Sequence, residues 1–387
     1  MNKTYVVSIG ENLTSYAFYK TVIPQLHDYF TNESDAKIVF DFSNTRGIDA
    51  LVLPNLLCTG FWITKHLGTP AKLFIPDNLG FSHIRAFLNN SHFIEFARKY
   101  NLFEFDNSIL GDADLSKMGH SLNRMQMFQI DNSIESDLAI EQAKLETWDQ
   151  LKRSFLPFIE TFLKRAQDKA ILLNKDLISF RLLSFMRELV ENALFHGRSF
   201  CFLSVQYISS YKPLIKISVS DCGIGFRDSI NWDRRRSLEI LNLLKEQSNA
   251  TEHEKRGLVE KINLVQNEGL SLNNDDVCRL SAQPFLETEL EGIVYGLLSR
   301  NQKPYGLYSV HKMISSMNGT IRIHSNDTQL ILSPKMELPL EIGITPQDLL
   351  RILENDKLVN TYNVRRNLKF KGVHIELVFE LGSSKVG

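Results

Sequence analysis

Three side chains in the run from Glu188 to Gly197 are of types that can handle a metal-bound phosphate. Glu188, Asn192 and His196 follow one another at intervals of four residues, so a helix would place them along one face. The side-chain oxygen of Asn192 can coordinate Mg²⁺, a hard cation that also takes phosphate oxygens. Glu188 can then polarise a water or a hydroxyl for attack on a phosphoryl group. The alternative is the exposed polar stripe of an ordinary amphipathic helix.

A second run, Asp221-Cys-Gly-Ile-Gly225, follows a segment rich in β-forming residues. Its two glycines would let the backbone approach a ligand closely. A buried carboxylate at Asp221 could accept a hydrogen bond from an exocyclic amine, which would select adenine over guanine. The alternative is a plain glycine-rich turn after a strand.

A third run, Tyr305-Gly306-Leu307-Tyr308, stands at the head of a segment that is predicted to be helical. A glycine before a helix N-terminus offers free N–H groups and the positive end of the helix dipole to phosphates. The alternative is simply the start of a helix.

The elements that must position these runs follow one another in the second half of the chain. The sequence predicts a helix ending near His196-Gly197, a hairpin of strands over 199–208 and 213–220, a charged helix-prone segment over 226–300, a helix from Gly306 to Asn318, and strands over 320–324 and 373–381. Residues 326–370 resemble an insertion between the last two strands.

The first half is predicted to be organised differently. Strands at 5–9, 37–42 and 71–75, with a helix over 51–66, indicate a small βαβ unit. Residues 109–133 are weakly patterned and are interpreted as a linker. Residues 134–170 carry helical periodicity, which predicts a connecting or dimerising helical segment.

Composition excludes several classes of protein. The chain has 387 residues, 43% of them hydrophobic, which is ordinary for a globular protein and excludes a mainly disordered or collagen-like chain. The formal net charge of −1 gives no global sign of a nucleic-acid binder, although a local patch stays open. The four scattered cysteines form no C-x-x-C pair, so neither a zinc site nor a disulfide framework is indicated. Neither a signal peptide nor a membrane span is recognisable, and we expect a soluble, cytoplasmic protein.

The order of the three runs resembles the GHKL ATP-binding fold, which gyrase, MutL, heat-shock chaperones and histidine kinases share. The resemblance covers residues 176–381. The Glu188-x-x-x-Asn192-Ala run resembles the family's N box, the Asp221 run its adenine-binding box, and Gly306-Leu307 its second glycine box. The Ala-x-x-His196-Gly ending is most similar to the anti-sigma-factor serine kinases.

This resemblance implies a site for ATP and Mg²⁺. Asn192 would hold Mg²⁺ and Glu188 would be the general base. Asp221 would bind the adenine amine, and the other nucleotide contacts would come from His196, Gly223, Gly225, Gly306 and Leu307. The chain departs from the family where Lys303-Pro-Tyr precedes a single Gly306: either the phosphate wrapping is looser or Lys303 supplies a charge in its place.

The segment between the boxes also departs from the family. Residues 226–303 are much longer than a kinase lid and are interpreted as an elaborated helical lid or a partner-binding insertion. Their Arg234-Arg-Arg236 run is interpreted as a solvated helix face. The helical stretch 134–170 contains no histidine, which argues against autophosphorylation on histidine.

The N-terminal unit is similar to STAS domains, the fold of anti-sigma-factor antagonists, on the residues Lys37 to Asp49 and Gly68 to Ile75. Those domains usually follow the aspartate with Ser-Ser-Gly, but Asp49 here is followed by Ala50-Leu51-Val52. Since no hydroxyl stands there, that site cannot be phosphorylated, and the unit is expected to be an interaction or sensing module. The alternative is a generic βαβ domain.

The predicted architecture is therefore α/β throughout. It consists of a STAS-like domain over 1–108, a linker and helical connecting segment over 109–175, and a GHKL α/β sandwich with a mixed sheet over 176–387. The first functional hypothesis is a Mg²⁺-dependent ATPase that acts as a conformational or dimerisation switch in signalling or regulation. A homodimer or a regulatory protein partner is expected, and no membrane. The alternatives are a serine/threonine kinase acting on a separate STAS partner, and a nucleotide-gated scaffold that does not hydrolyse ATP.

Overall fold

A computed structural model describes most of the chain. The residues that it describes are 3–32, 35–77, 79–105, 121–130, 137–167, 175–210, 212–267, 272, 274–298, 307–333, 344–356, 358–361 and 372–381. The protein is mixed α/β, as predicted, and its described residues form a four-stranded parallel sheet, a two-stranded parallel sheet and a larger, seven-stranded antiparallel sheet.

The N-terminal unit is built on a four-stranded parallel sheet in the order β1-β3-β5-β6. Its elements are β1 (Thr4–Ser8), β2 (Asn12–Leu13), α1 (Ser15–Ala17), α2 (Ile23–Thr31), β3 (Lys37–Asp41), β4 (Gly47–Ile48), α3 (Leu53–Leu67), β5 (Ala71–Phe74), α4 (Ser82–Asn90), α5 (Phe93–Lys99) and β6 (Phe103–Phe105). Alternate strand residues, Val7, Phe40 and Leu73 among them, are fully buried in the core of this unit. The predicted βαβ arrangement of β3, α3 and β5 is confirmed.

The remaining described elements are the strands of a seven-stranded sheet and the helices around it. They are β7 (Ser121–Phe128), α6 (Asp137–Gln167), α7 (Lys175–Glu191), β8 (Cys201–Ile208), β9 (Leu214–Asp221), α8 (Gly225–Asn249), α9 (Glu252–Asn267), α10 (Asn274–Ser281), α11 (Glu289–Leu298), α12 (Leu307–Ser316), β10 (Thr320–Ser325), β11 (Thr328–Leu332), α13 (Pro346–Asn355), β12 (Val359–Thr361) and β13 (Val373–Glu380). The predicted hairpin is confirmed as β8 and β9, with bounds shifted by one or two residues.

The prediction of a mixed C-terminal sheet is wrong. The strand order is β12-β11-β10-β13-β9-β8-β7, and every neighbouring pair is antiparallel. Short turns join β8 to β9 and β10 to β11, and a short turn permits only antiparallel pairing. The last strand, β13, then lies between β9 and β10 and runs opposite to both.

Two segments that were predicted to lie outside the sheet contribute strands to its edges. The predicted linker over 109–133 contains β7, which pairs with β8 along eight residues. The predicted insertion over 326–370 contains β11, α13 and β12. The edge strand β7 carries polar residues such as Asn123 and Arg124, so its hydrophobic alternation is weak and the sequence pattern missed it.

The predicted helical segment is confirmed as α6, but it does more than connect two domains. Its Leu151, Phe155, Ile159 and Phe162 are fully buried in the core that α7 shares with the sheet. These residues recur at helical spacing and form one apolar stripe, so α6 belongs to the helical layer that covers one face of the sheet.

The N-terminal unit covers the opposite face of the same sheet. Lys216 of β9 pairs with Asp49 at 2.9 Å, and the ring of Tyr19 stacks on that of His324 with a centroid distance of 4.1 Å. Phe61 meets Phe200 edge-to-face at 4.4 Å. The large sheet is therefore buried on both faces, between helices on one side and a whole α/β unit on the other.

Candidate functional site

The helix α7 carries the first candidate group to the end of the sheet. Glu188 lies one turn before Asn192, and their side chains are hydrogen bonded. At Asn192 the helix widens into a π turn over Asn192–His196, in which the N–H of Gly197 donates to the Asn192 carbonyl at 3.0 Å. Such π turns are rare and are found frequently at functional sites, because they change the direction of the side chains that follow.

The half-buried carboxyl of Glu188 is held in an unusual protonation state. Desolvation is the main cause, the nearby Glu191 adds repulsion, and together they raise the pKa of Glu188 to about 8. The hydrogen bond from Asn192 and the charge of Arg187 oppose this rise only in part. Glu191 itself pairs with Arg187 at 2.5 Å. A carboxyl with such a pKa can gain or lose a proton near neutral pH, as a general acid or base must.

Asp221 ends β9 on the face of the sheet that the helices cover. It continues the row Ile217 and Val219, whose side chains lie in the core beneath α7. Its side chain is 7% exposed, and its Oδ1 accepts hydrogen bonds from the N–H of Gly223 at 2.7 Å and of Val373 at 3.3 Å. Desolvation outweighs these two bonds and raises the pKa of Asp221 to about 7.

The Glu188 helix and the Asp221 turn meet at Gly197. A Cβ atom on Gly197 would lie 3.2 Å from Oδ1 of Asp221, and one on Gly223 would lie 2.0 Å from the Gly197 carbonyl oxygen. The N–H of Ile224 donates to that carbonyl at 3.3 Å. Two of the three predicted motifs therefore converge at one place, and glycine is required at both contact points because any side chain would collide with backbone.

Gly225 occupies a position that only glycine fits. Its φ of 80° lies in the left-handed region, and a Cβ atom there would lie 2.6 Å from Nδ2 of Asn326 and 3.1 Å from Oε1 of Glu289. The glycine thus lets the start of α8 pack against protein atoms. Like Gly223, it serves contacts within the chain in this structure.

Glu289 is a buried acid that the sequence analysis missed. It is 3% exposed at the first turn of α11, and it accepts hydrogen bonds from Ser325 at 2.8 Å, Asn326 at 2.5 Å and the Arg227 N–H at 3.3 Å. Desolvation raises the pKa of Glu289 above its usual value despite these donors. Its three partners lie 36 to 62 residues away in the chain, so no local spacing could have indicated it.

His196 closes the polar side of α7. His196 is an exposed residue, yet the surrounding protein desolvates its ring, and this desolvation together with the cations Arg198 and Lys144 lowers the pKa of His196. Asp233 opposes that effect. Arg198, which has a φ of 54°, stacks on Trp232 of α8 and reaches toward Asp233. Cations and an aromatic ring therefore flank the exposed end of the candidate site.

The segment that was predicted to form a helical lid or a partner-binding insertion is helical and forms α8 to α11. The helices α8, α9 and α10 share a small core of their own, consisting of Ile240, Ile262, Leu272, Val277 and Leu280, whereas α11 packs into the core of the large sheet. The prediction of a solvated arginine face is wrong for Arg236. That side chain is 3% exposed and donates to the carbonyls of Val265 and Gln266 at 2.8–3.1 Å. Those carbonyls end α9 and lack partners within the helix, which is why they attract a buried guanidinium.

The third motif is described only in part. Lys303 and Gly306 lie outside the described residues. Leu307 is 4% exposed at the first turn of α12, and its side chain lies in the core next to Gly296. Its side chain therefore packs within the protein, and only its backbone N–H, at the N-terminus of α12, is available for the predicted ligand contact.

The donor set around Asn192 suits a cation that is shared with a ligand. Carboxyl and amide oxygens are the hard donors that Mg²⁺ prefers, and Mg²⁺ commonly keeps only one or two protein ligands alongside phosphate oxygens. Within the described residues, no cluster of three or more His, Cys, Asp or Glu side chains could hold a metal ion without such help.

Comparison with known proteins leaves the family open. No protein-family model, curated protein or solved structure matches this chain at a significant level. In the described part of the chain, no helix has the length and apolar character that crossing a membrane requires.

Proposed function

We propose that this chain binds Mg²⁺-ATP between the α7 helix and the Asp221 turn, as a GHKL-type ATPase whose nucleotide state controls its conformation or self-association. The observation that carries this proposal is the meeting of the two motifs at Gly197, which brings the helix of Glu188 and Asn192 to a buried carboxylate. Sites that combine burial with perturbed carboxyl pKa values are the usual places for chemistry.

Each residue has one task in this proposal. The ionised Asp221 accepts a hydrogen bond from the adenine amine, and its Oδ1 is already fixed by the N–H groups of Gly223 and Val373. Asn192 offers its amide oxygen to the cation, which when bound neutralises phosphate charge. Glu188 orients the attacking water and takes its proton. His196 and Arg198 border the exposed end of the site.

Binding is tested by calorimetry with ATP and Mg²⁺. Loss of a hydrogen bond to a charged acceptor costs about 1.5–3 kcal/mol, so Asp221→Asn should weaken binding about 10–100-fold. Asp149→Asn on the exposed face of α6 is the matched control and should bind as the wild type does. Absence of any binding heat in the wild type would refute the proposal.

The pH dependence of affinity is a sharper test of Asp221. Because the amine needs an ionised acceptor and the pKa of Asp221 is about 7, affinity for ATP should fall as the pH is lowered through 7. Asp221→Asn should lose this dependence. An unchanged pH profile in the variant would remove Asp221 from the adenine contact even if ATP still binds.

Hydrolysis is tested separately with Glu188→Gln, which keeps the size of the side chain. We expect a loss of turnover of about 100-fold or more, which is what a general base contributes, and little change in ATP affinity. Glu160→Gln on α6 is the control. Label transferred from the γ-phosphate to a protein, instead of release as free phosphate, would favour the kinase alternative.

One observation favours a second candidate, a nucleotide-gated scaffold without turnover. With a pKa of about 8, Glu188 is mostly protonated at neutral pH before a ligand binds, and a protonated carboxyl cannot act as a base. Tight ATP binding with no turnover at pH 7 or at pH 9 would favour this candidate. Turnover that rises between pH 7 and pH 9 and is lost in Glu188→Gln would favour the ATPase.

A further inference from the structure

Two cysteines from different parts of the chain meet where the N-terminal unit touches the candidate site. Cys58 lies on α3, and Cys222 directly follows Asp221. The thiol of Cys222 donates a hydrogen bond to the Cys58 carbonyl at 3.4 Å, and the two thiols also interact with each other. They are 164 residues apart in sequence, so only the docking of the two units brings them together.

A small cavity of about 40 Å³ opens beside both thiols. It is lined by Cys58, Cys222 and the side chains of Tyr19, Trp62 and Asn55, among others. A buried water needs about 10–15 Å³ measured in this way, so the cavity can admit a molecule the size of hydrogen peroxide. Cys58 is buried with 5% exposure, whereas Cys222 is half-buried, so a small oxidant reaches Cys222 more easily.

We propose that Cys58 and Cys222 form a reversible disulfide when the protein meets a peroxide, and that this bond ties the N-terminal unit to the turn that carries Asp221. The Cys222 sulfur lies 3.4 Å from the Cys58 carbonyl oxygen and its thiol interacts with that of Cys58, so the two side chains are already neighbours, and a disulfide needs them to approach to a sulfur–sulfur bond of about 2 Å. Both thiols are free in the reduced protein.

The chemistry balances in two steps. The sulfur of Cys222 attacks one oxygen of hydrogen peroxide, the O–O bond breaks, and the products are a sulfenic acid on Cys222 and one water. The sulfur of Cys58 then attacks the sulfenic sulfur, the S–O bond breaks, and a second water leaves with the Cys58 proton. Two thiols lose two electrons in total, and the peroxide gains them. Burial raises the pKa of the Cys58 thiol, which makes it the second sulfur to react.

The disulfide would displace Asp221, the residue before Cys222. Asp221 precedes Cys222 directly, and its backbone carbonyl lies against Gly372, where a Cβ atom would be 2.2 Å from the oxygen. A turn packed this tightly cannot shift at Cys222 without moving Asp221. The disulfide should therefore weaken ATP binding severalfold, and this consequence alone rests on the proposed function.

The test uses the full chain carrying Cys278→Ser, because Cys278 is exposed and could link two molecules. The folded protein is treated with hydrogen peroxide, alkylated, and analysed by mass spectrometry without reduction. We expect a mass loss of two hydrogen atoms and one linked peptide pair containing Cys58 and Cys222, both reversed by a thiol reductant. Cys201→Ser, which removes the buried cysteine opposite Asp221 in the β8–β9 ladder, should still form the link.

Three results would overturn the proposal: oxidation of Cys222 only to sulfinic acid, a link between other cysteines, or a link formed only after unfolding in urea. Cys58→Ser and Cys222→Ser should each abolish the link, and peptide mapping of the parent protein decides the matter if either variant misfolds. Binding of ATP is measured on the same oxidised sample. A link that forms without any effect on ATP binding would reject the coupling but not the disulfide. A link that forms in a protein that binds no ATP would reject the proposed function but not the disulfide.

Discussion

The two faces of the seven-stranded sheet are both buried, but they are built from different chemistry. The face beneath α6 and α7 is aliphatic, with Ile217, Val219, Ile323, Ile375 and Leu377 in its core. The face beneath the N-terminal unit carries buried polar groups at the alternate positions, including Ser218, Ser220, His324, Gln329, His374 and Glu376, and the half-buried Lys216. The aliphatic face is stabilised mainly by the burial of apolar surface, whereas on the polar face hydrogen bonds and ion pairs offset the cost of removing polar groups from water.

Pairing on the polar face runs across the boundary between the two units. Ser15 of the N-terminal unit donates to Glu376, which also accepts from His374 at 3.0 Å and from Arg322 at 3.3 Å. Ser220 bonds the other ring nitrogen of His374. Buried polar networks of this kind specify one arrangement, because a misplaced partner leaves a group without its hydrogen bond. The polar face therefore selects how the N-terminal unit docks.

The carboxyl groups of the candidate site and of the polar face also differ in their pKa values. Desolvation dominates at the candidate site and raises the pKa values of Asp221 and Glu188. At Glu376 desolvation also raises the pKa, but hydrogen bonds from His374 and Ser15 and the nearby imidazoles overcome it and lower the pKa to about 2. A carboxylate with enough hydrogen-bonding partners stabilises the fold. A buried carboxyl with too few partners lowers the free energy of unfolding, and a ligand that pairs with it can restore that loss.

The largest effect is expected for Glu376→Ala, which breaks the polar network at its centre. Removal of one partner from a buried charged cluster costs about 3–5 kcal/mol, and denaturant unfolding should show a loss of that size. Hydrogen exchange should increase in α1 and along β10 and β13. Glu380→Ala is the matched control four residues along the same strand. It removes a partly exposed pair with Lys212 at 3.6 Å and should cost about 0–1 kcal/mol. Equal losses in the two variants would contradict the special role of Glu376.

Leu377→Ala tests the aliphatic face at the neighbouring residue. It leaves a cavity among fully buried side chains and should cost about 2–5 kcal/mol of unfolding free energy. Hydrogen exchange should now increase in α6 and α7, with the docking of the N-terminal unit unchanged. Val378→Ala, at a half-buried position, is the control. Increased exchange in α1 after Leu377→Ala would show that the two faces are not independent.

Asp221→Asn should stabilise the protein at high pH. Because the folded-state pKa of Asp221 is raised from 3.8 to about 7, the wild type loses stability as the pH rises between those values, when the unfolded chain ionises first. The asparagine variant avoids this loss and should be more stable by about 1–3 kcal/mol at pH 8, with no gain at pH 3. Thermal unfolding across this range measures the difference. A gain at pH 3 as large as that at pH 8 would disprove the titration argument.

Glu376→Gln should show the opposite pH dependence. The folded-state pKa of Glu376 is lowered from 4.5 to about 2, so its stabilising effect is complete above pH 4.5 and is lost as the pH falls toward 2. The variant should therefore be less stable than the wild type by about 1–3 kcal/mol at pH 7, and this difference in the free energy of unfolding should disappear in acid. Parallel acid titrations followed by circular dichroism compare the two proteins. A gap that stays constant with pH would mean that packing, and not charge, causes the loss.

The smallest effect is expected for Lys216→Met, which removes the ion pair with Asp49. Both side chains are about one-fifth exposed, so the pair should contribute about 1 kcal/mol or less. The control is Lys212→Met, whose lysine is 68% exposed and should contribute nothing measurable. High salt should reduce the effect of Lys216→Met. An effect above that of Glu376→Ala would place the main docking energy at this pair instead.

Predictions from the sequence were most accurate where local pattern decides structure. The β8–β9 hairpin, the α6 helix and the helical nature of the segment after Gly225 were predicted from alternation and periodicity, which depend on neighbouring residues. The predictions failed at the edge strands β7 and β12, at β11, which lies between β10 and β12, and at Arg236, which is buried by the end of α9. The mixed sheet was an expectation from family resemblance, and strand direction depends on pairing that no local pattern encodes.

At the candidate site, too, some features could be predicted from the sequence and others could not. The spacing of Glu188 and Asn192 and the glycines at 197 and 223 can be read from the chain, because a helix and a tight contact each demand particular residues at particular intervals. Glu289 could not be found, since its partners come from α8 and from the end of β10. The raised pKa values likewise arise only when packing removes water from the carboxyls.

The amino-acid sequence by itself determined the order of the elements and the residue types at Glu188, Asn192 and Asp221, because short-range sterics and periodicity depend only on neighbours along the chain. Tertiary structure alone decided that both faces of an alternating strand such as β13 are buried. Polar residues at alternate positions are equally compatible with a face exposed to solvent and with a face covered by a docked unit. It also decided that Cys58 meets Cys222 and that Ser15 meets Glu376, since contacts across 164 and 361 residues exist only once the whole chain has packed.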